Sequence, residues 1–274
     1  MTSILTNNGA MVALQTLKSI NSDLTSTQNA ISTGKEVAMA KDNSAIWAIS
    51  KVMESDVSGF KAVSESLSLG ESTVAVASAG AEQITNILNE MKEKVVAATG
   101  ENVDNAKITA DVNELKAQIT SIISASQFNG SNLLNTAGGD ITVLSSLDRD
   151  AAGAVTAQNI TVSSVDFEAG LDLTTIDVSS AANADASIDD METLIQAAVN
   201  GAAALGASAK RISDQNEFVS KVSDAMKSGI GSLVDTDMEA ASARLKALQT
   251  QQQLGVQALS IANSAPQTVM SLFR

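Results

Sequence analysis

Apolar positions recur at alternating spacings of three and four along most of this chain, the pattern of helices packed along a seam. The clearest run is Leu67, Gly70, Val74, Ala77, Ala81, Ile84, Leu88, Met91, Val95 and Ala98. It holds for about four heptads and predicts a helix roughly 45 Å long. Small residues near its middle let a neighbouring helix approach closely. Met191, Ile195, Ala198, Ala202, Leu205, Ala209, Ile212, Asn216, Val219, Ser223, Met226, Ile230 and Leu233 repeat the alternation. They predict a second long helix, of about 45 residues and roughly 68 Å. Ile108, Val112, Leu115, Ile119 and Ile122 form a shorter stripe between them.

The two ends carry weaker stripes. Ala10, Leu14, Leu17, Asn21, Leu24, Gln28 and Ile31 mark one; Leu245, Leu248, Gln252, Val256, Leu259, Asn263, Pro266, Met270 and Phe273 mark the other. An amphipathic helix must bury its stripe, and each end offers the other a partner. Asn and Gln at seam positions lower stability and fix register. The pair is therefore expected to be marginal alone and to order fully when further copies pack around it.

Breaks fall where the backbone chemistry allows them. Thr33-Gly34 ends the first stripe and Lys41-Asp42-Asn43-Ser44 offers caps for a restart. Thr99-Gly100 ends the strongest seam, Phe128-Asn129-Gly130 ends the short helix, and Val234-Asp235-Thr236-Asp237 precedes the terminal helix. From Gly138 to Ala186 the character changes. Ile141–Leu144, Gln158–Val162 and Thr175–Val178 are β-prone runs among Gly, Asp, Asn and Ser, and predict hairpins. The expected fold is mainly α: long antiparallel coiled-coil helices, with paired N- and C-terminal helices, a rod of longer helices and a small β-hairpin region at the distal end.

Composition narrows the function classes. The chain has 274 residues, no Cys, no His, one Pro and 2% aromatic residues. Disulfides and thiolate chemistry are excluded, and the commonest general base and metal ligand is missing. The net charge of −14 argues against nucleic acid and anionic membrane as partners. Between Asp140 and Glu192, Arg149 is the only basic residue, whereas no acid follows Ala240. This asymmetry implies buried ends and a solvent-facing middle. The N-terminus reads as no signal peptide, and no stretch reaches the length of a membrane span.

Candidate chemistry is sparse. Lys41 with Ser44 lacks a supporting constellation for catalysis. Asp148–Gly153 resembles a calcium loop only faintly, since Ala152 and Asn159 stand where an oxygen ligand and a bidentate Glu are needed. Asp189-Asp190 reads as charge favoured at a helix start. Asn129-Gly130-Ser131 and Asn159-Ile160-Thr161 match glycosylation acceptors of a kind that arises by chance. No cofactor, metal or catalytic residue is expected.

Three blocks carry a resemblance. Ala30–Ser50, AISTGKEVAMAKDNSAIWAIS, is similar to the N-terminal signature of bacterial flagellins. Gln127-Phe128-Asn129-Gly130 resembles the family's turn after its second rod helix. Gln257–Asn263 and Ser271-Leu272-Phe273-Arg274 resemble its C-terminal signature, in a form most like alphaproteobacterial flagellins. The resemblance implies a subunit that polymerises into the flagellar filament, exported unfolded by the flagellar type III apparatus and secreted to the cell exterior. It implies an export chaperone on the C-terminal segment, a filament cap and hook–filament junction proteins as partners. A hook–filament junction protein and a soluble coiled-coil binding module are the alternative readings.

On this plan residues 1–40 and 235–274 form an inner-tube domain, 41–137 and 187–234 a helical rod domain, and 138–186 a small surface β region, with no large outer domains. Inner-tube contacts fall to Leu14, Leu17, Leu24, Ile31, Leu245, Leu248, Val256, Leu259, Met270 and Phe273. The rod core falls to Leu67, Val74, Ile84, Leu88, Met91, Val95, Ile195, Leu205, Ile212 and Val219. Members of the family often carry O-linked sugars, which marks Thr156, Thr161, Ser163 and Ser164. Members detected by the flagellin-sensing Toll-like receptor have a basic residue and, four positions on, a Leu in a rod-helix stretch. Glu90 and Lys94 stand there, which implies weak or absent receptor activation. The same two residues are also spaced to form a Glu-to-Lys pair on one helix face.

Overall fold

The computed structural model describes the backbone of residues 6–150 and 152–272, and side chains as far as Ser264. Six α-helices and one hairpin follow in order: α1 (Asn8–Thr33), α2 (Ser44–Ala98), α3 (Asn105–Ala125), β1 (Ile141–Arg149), β2 (Val155–Val162), the single turn α4 (Phe167–Gly170), α5 (Ala181–Val234) and α6 (Met238–Leu272). The chain forms two compact units, residues 1–55 with 225–274, and residues 56–224. Their boundaries fall inside α2 and α5, whereas the sequence plan put them in the loops after α1 and before α6.

The larger unit is built on α2. All ten residues of its long stripe, from Leu67 to Ala98, are buried, and Leu67, Val74, Ile84, Leu88, Met91 and Val95 are wholly inaccessible. Helix α5 runs antiparallel beside it: Lys92 Nζ meets Glu192 Oε2 at 2.5 Å, and Ser64 Oγ donates to Asn216 Oδ1 at 2.7 Å. Leu205, Ile212 and Val219 are buried on α5, and Ile195 is half-buried at the edge of the same core. Helix α3 adds Val112, Ile119 and Ile123. It ends at Ala125, where the Ser126 N–H donates to the Ile122 carbonyl, earlier than the Phe128-Asn129-Gly130 stop expected; those residues form a separate turn in which Asn129 and Gly130 take φ of 50° and 85°.

The hairpin lies on α2. Val143, Ser145, Ile160 and Val162 form its buried face. Ser145 is a bulge, since Leu144 pairs with Asn159 and Ser146 with Gln158. The carbonyl freed by the bulge accepts from Gln215 Nε2 at 2.9 Å. At Gly70 the two elements come so close that a Cβ would sit 2.5 Å from Val143 Cγ2. Gly201 on α5 does the same for Phe167, where a Cβ would lie 2.6 Å from the ring. Arg149 clamps the hairpin end with two hydrogen bonds to Asp56, Nη2 to Oδ1 at 2.5 Å and Nε to Oδ2 at 3.2 Å. This pairing raises the guanidinium pKa further.

Four expectations are corrected. Thr175–Val178 is not a strand: Leu173–Thr175 is a 3-10 turn and the rest is irregular. Ile176 and Val178 are buried, and the peptide group that follows Ile176 is met by side chains instead of a strand partner. Lys116 Nζ donates to the Ile176 carbonyl at 2.7 Å, and Ser187 Oγ accepts from the Asp177 N–H at 2.9 Å. Burial lowers the Lys116 pKa, against the pull of Asp177. Second, α5 starts at Ala181, so Asp189 and Asp190 lie within the helix, not at its start. Third, Leu233 is exposed and Val234 takes the buried place beside it. Fourth, Lys94 pairs with Asp111 of α3 at 3.2 Å and not with Glu90.

Gly70→Ala should destabilise the chain by about 1–3 kcal/mol through overpacking. Combining it with Val143→Ala should cost less than the two single changes together, because the second removes the obstructing methyls. Urea unfolding followed by circular dichroism reads both; strict additivity would show that the close approach is not felt.

Candidate assembly surface

The smaller unit holds the N- and C-terminal helices side by side. Asn7 caps α1, its Oδ1 accepting from the Ala10 N–H at 3.0 Å, while its Nδ2 donates to the Ala262 carbonyl at 2.7 Å. Further along, Gln252 Nε2 donates to Asn21 Oδ1 at 2.7 Å. Partner numbers rise on α1 as they fall on α6, so the pair is antiparallel. Gly34 closes α1 at φ 70°. The links then pair briefly: the Glu36 N–H donates to the Val234 carbonyl at 2.8 Å, and the Thr236 N–H to the Gly34 carbonyl at 2.9 Å.

The seam keeps Ala10, Leu17, Leu24, Ile31, Leu245, Leu248, Gln252 and Leu259 of the stripes read from spacing and shifts their other described positions back by one residue. Ala10, Ala13, Leu17, Ile20, Leu24, Thr27 and Ala30 are the covered positions of α1, and Ala241, Leu245, Leu248, Gln252, Gly255, Leu259 and Ala262 those of α6. Leu14 and Val256 are 58% and 53% exposed, and Asn21, Gln28 and Asn263 are exposed too. Ile31 is half-buried at the end of the α1 stripe. Both registers share Ala10, Leu17 and Leu24, but the observed one takes in Ala13, Ile20 and Thr27 in place of Leu14, Asn21 and Gln28, so it covers less polar surface. Gly255 lies under Leu17, where a Cβ would be 3.1 Å from Cδ1. The Met270 side chain and Phe273 lie outside the described residues.

The pair buries little. Among the described residues of the two helices, only Thr27 on α1 and Leu248 on α6 are buried. Much of the apolar surface faces outward instead: Met11, Val12 and Leu14 on α1, and Leu254, Val256 and Ile261 on α6. At about 100° per residue these positions are spread around the helices away from the seam. Helices that are apolar on more than one side belong inside a larger packed body. Charge is equally scarce: α1 carries only Lys18 and Asp23, and α6 none after Lys246 within its span. Depletion of charge with retention of apolar side chains marks the core of protein interfaces.

The other polar features do not converge on chemistry. Two open clefts flank the end of α1, of ≈ 230 Å³ and ≈ 440 Å³. Asp23, Thr27, Asp237 and Arg244 line the first; Asn29, Lys35, Met39 and Asp42 line the second. Lys41 and Ser44 are both exposed at the start of α2. Among the described residues no His, Cys, Asp and Glu group is placed to hold a metal ion. No described helix is long and apolar enough to cross a membrane. In the larger unit, Glu90 is exposed and Lys94 half-buried, and Thr156, Thr161 and Ser163 are exposed. Ser164 is half-buried, its N–H donating to Asp140 Oδ1 at 2.9 Å. Spacing alone missed Met11, Val12, Leu254 and Ile261; the charge-free composition around them was the usable signal.

Comparison with known proteins adds an independent line. Residues 4–138 match the bacterial flagellin N-terminal helical region, and residues 188–273 the bacterial flagellin C-terminal helical region. The chain is 42% identical to flagellin FljM of Caulobacter vibrioides over 279 residues, covering 100% of this chain and 99% of that protein. It is 42% identical to a flagellin of Brucella melitensis over 282 residues, covering 100% of both. With flagellin A of Rhizobium meliloti the identity is 34% over 394 residues, again covering 100% of both. A crystal structure of Bacillus cereus flagellin aligns with a TM-score of 0.49 and 23% identity, over 56% of this chain and 86% of that one.

Amide exchange in the free chain should reflect the unequal burial. Protection along α1 and α6 should be lost well before that of the Val74–Ala98 stretch of α2, because few large side chains anchor the pair. Equal protection of both regions would contradict this.

Proposed function

The chain belongs to the bacterial flagellin family and is a structural subunit of the flagellar filament, and we propose that copies meet through the outward faces of α1 and α6. The observation that carries this reading is the apolar, charge-poor surface left uncovered on both helices. Burying it against neighbouring copies removes apolar area from water at about 25 cal/mol per Å². Leu17, Leu24, Leu245, Leu248 and Leu259 hold the pair together, while Leu14 and Val256 reach the next copy; Ile31, Met270 and Phe273 extend the same assembly element. The stripe of α2 with Ile195, Leu205, Ile212 and Val219 serves as the core that keeps each subunit folded between contacts. Full-length similarity to several flagellins favours a filament subunit over a junction protein or a soluble binding module.

The remaining roles follow from the family reading. The subunit leaves the cell through the flagellar export apparatus, its C-terminal segment held beforehand by a chaperone. It joins the filament outside the cell beneath a cap, above junction proteins at the hook. The acidic hairpin region faces the medium, with Thr156, Thr161, Ser163 and Ser164 as its sugar acceptors.

Purified chain seeded with filament fragments tests the assembly face by electron microscopy. Leu14→Asp should abolish elongation, yet leave monomer unfolding within about 0.5 kcal/mol of the parent, as expected for an exposed position. Leu88→Asp should lose both, since an unpaired buried charge costs about 3 kcal/mol or more. Normal filaments from Leu14→Asp would refute the reading. A short epitope inserted after Gly153 should be tolerated and bound by antibody along intact filaments; normal filaments that bind no antibody would contradict the outward placement. For the receptor, the parent monomer should activate weakly. Glu90→Arg with Lys94→Leu should raise activation in a reporter assay, and potent signalling by the endotoxin-free parent would overturn this.

A further inference from the structure

The nine methionines divide sharply by environment. Met91 and Met191, in the larger unit, are wholly buried. Met11, Met39 and Met238 are 59%, 46% and 46% exposed, and all three belong to the smaller unit. Met53 and Met226 are half-buried there; Met1 and the Met270 side chain lie outside the described residues. An exposed thioether is the most readily oxidised side chain in a protein without Cys. The three sites differ in what a sulfoxide would meet. Met39 lines an open cleft with Lys41 and Asp42, where water solvates it. Met238 sits at the start of α6 beside Asp237 and Glu239, again in a polar setting. Met11 lies on the side of α1 turned away from α6, next to Val12 and near Leu14. Residues 7–17 carry no charge at all.

We propose that Met11 is an oxidation site that gates incorporation: the free chain is converted to the sulfoxide there, and a subunit so modified is refused by a filament end. This rests on the assembly face described above. The oxidant is hydrogen peroxide. A sulfur lone pair attacks one peroxide oxygen, the S–O bond forms and the O–O bond breaks. The other oxygen leaves as water after proton transfer, so sulfur loses two electrons and peroxide gains them. The product replaces a flexible apolar side chain with a strong hydrogen-bond acceptor. In the free chain that acceptor is hydrated. Covered by a neighbouring copy at the apolar patch it shares with Val12 and Leu14, it loses that water, which costs free energy. Incorporated subunits have Met11 covered, so the oxidation acts before assembly and spares filaments already made.

The test uses the full chain, peroxide and filament seeds. Peptide mapping of treated monomer should find sulfoxide at Met11, Met39 and Met238, with Met91 and Met191 protected. Elongation by treated parent should fall about tenfold, the effect of one unmade hydrogen bond. Methionine sulfoxide reductases A and B together should restore it, since each repairs one epimer. Treated Met11→Leu should elongate within roughly twofold of its untreated form, because the swap conserves volume and removes the sulfur. Treated Met39→Leu and Met238→Leu should remain sensitive, with circular dichroism showing every treated chain still folded. The proposal is overturned if Met11→Leu loses elongation as the parent does. It is also overturned if parent mapped as sulfoxide at Met11 elongates at the untreated rate. Untreated Leu14→Asp chain that elongates normally would sink the assembly face itself; its failure to elongate, with peroxide-insensitive parent, counts against Met11 alone.

Discussion

Close approach along α2 is the constraint on which the larger unit depends. Its stripe alternates large residues with Gly70, Ala77 and Ala81, so partners can settle near the helix axis. The hairpin reaches Gly70 through Val143, and Ser126 with Leu134 reaches Gly80. A helix lined only with Leu would hold those elements off and open voids between them. Few aromatic residues are needed because the gaps are already narrow. The result is a core that is thin but continuous, with Phe167 as the only large aromatic side chain wholly inside it among the described residues.

The smaller unit solves a different problem. Of the two registers open to α1 on α6, the observed one covers Ala13, Ile20 and Thr27 and leaves Asn21, Gln28 and Asn263 in water, and it lets Leu17 approach Gly255 closely. The rejected stripe is not lost. It stays on the surface as Leu14 and Val256, beside Met11 and Leu254. One helix thus carries two apolar faces of related spacing, one used within the subunit and one left exposed, the face proposed above for contact between subunits. The polar seam bond from Gln252 to Asn21 ties the register without deepening the burial.

Much of this was legible in the chain. The Leu67–Ala98 period, the Gly34 stop and the break before α6 follow from local chemistry, and the structure has each of them, whereas α3 stops at Ala125, before the Asn129-Gly130 turn expected to end it. The seam choice in α1 was not legible, because period alone cannot rank Leu14 against Ala13 when both fit a heptad. Thr175–Val178 misled for a related reason. Alternating burial makes a strand-like pattern wherever a segment lies on a core, and only the partners decide whether a ladder forms. Here Lys116 and Ser187 satisfy the backbone from sixty and ten residues away, a pairing that no local signal announces. The outward faces were partly readable through their lack of charge, which spacing analysis ignores.

That lack of charge has a consequence for the medium around the filament. Dissolved salt acts on Coulomb forces, with a screening length of about 10 Å at 0.1 M and about 3 Å at 1 M. A joint made from residues 7–17 and 247–263 contains no charged side chain for salt to screen. The acidic run from Asp140 to Glu192 behaves oppositely, since its like charges repel most strongly in dilute water. Moving from fresh water toward brine therefore relaxes repulsion within the acidic run and removes no Coulomb attraction from the proposed helical joint. On the proposed assembly face, the adhesive surface holds no charged side chain for salt to act on, and the acidic run that responds to salt lies elsewhere in the chain.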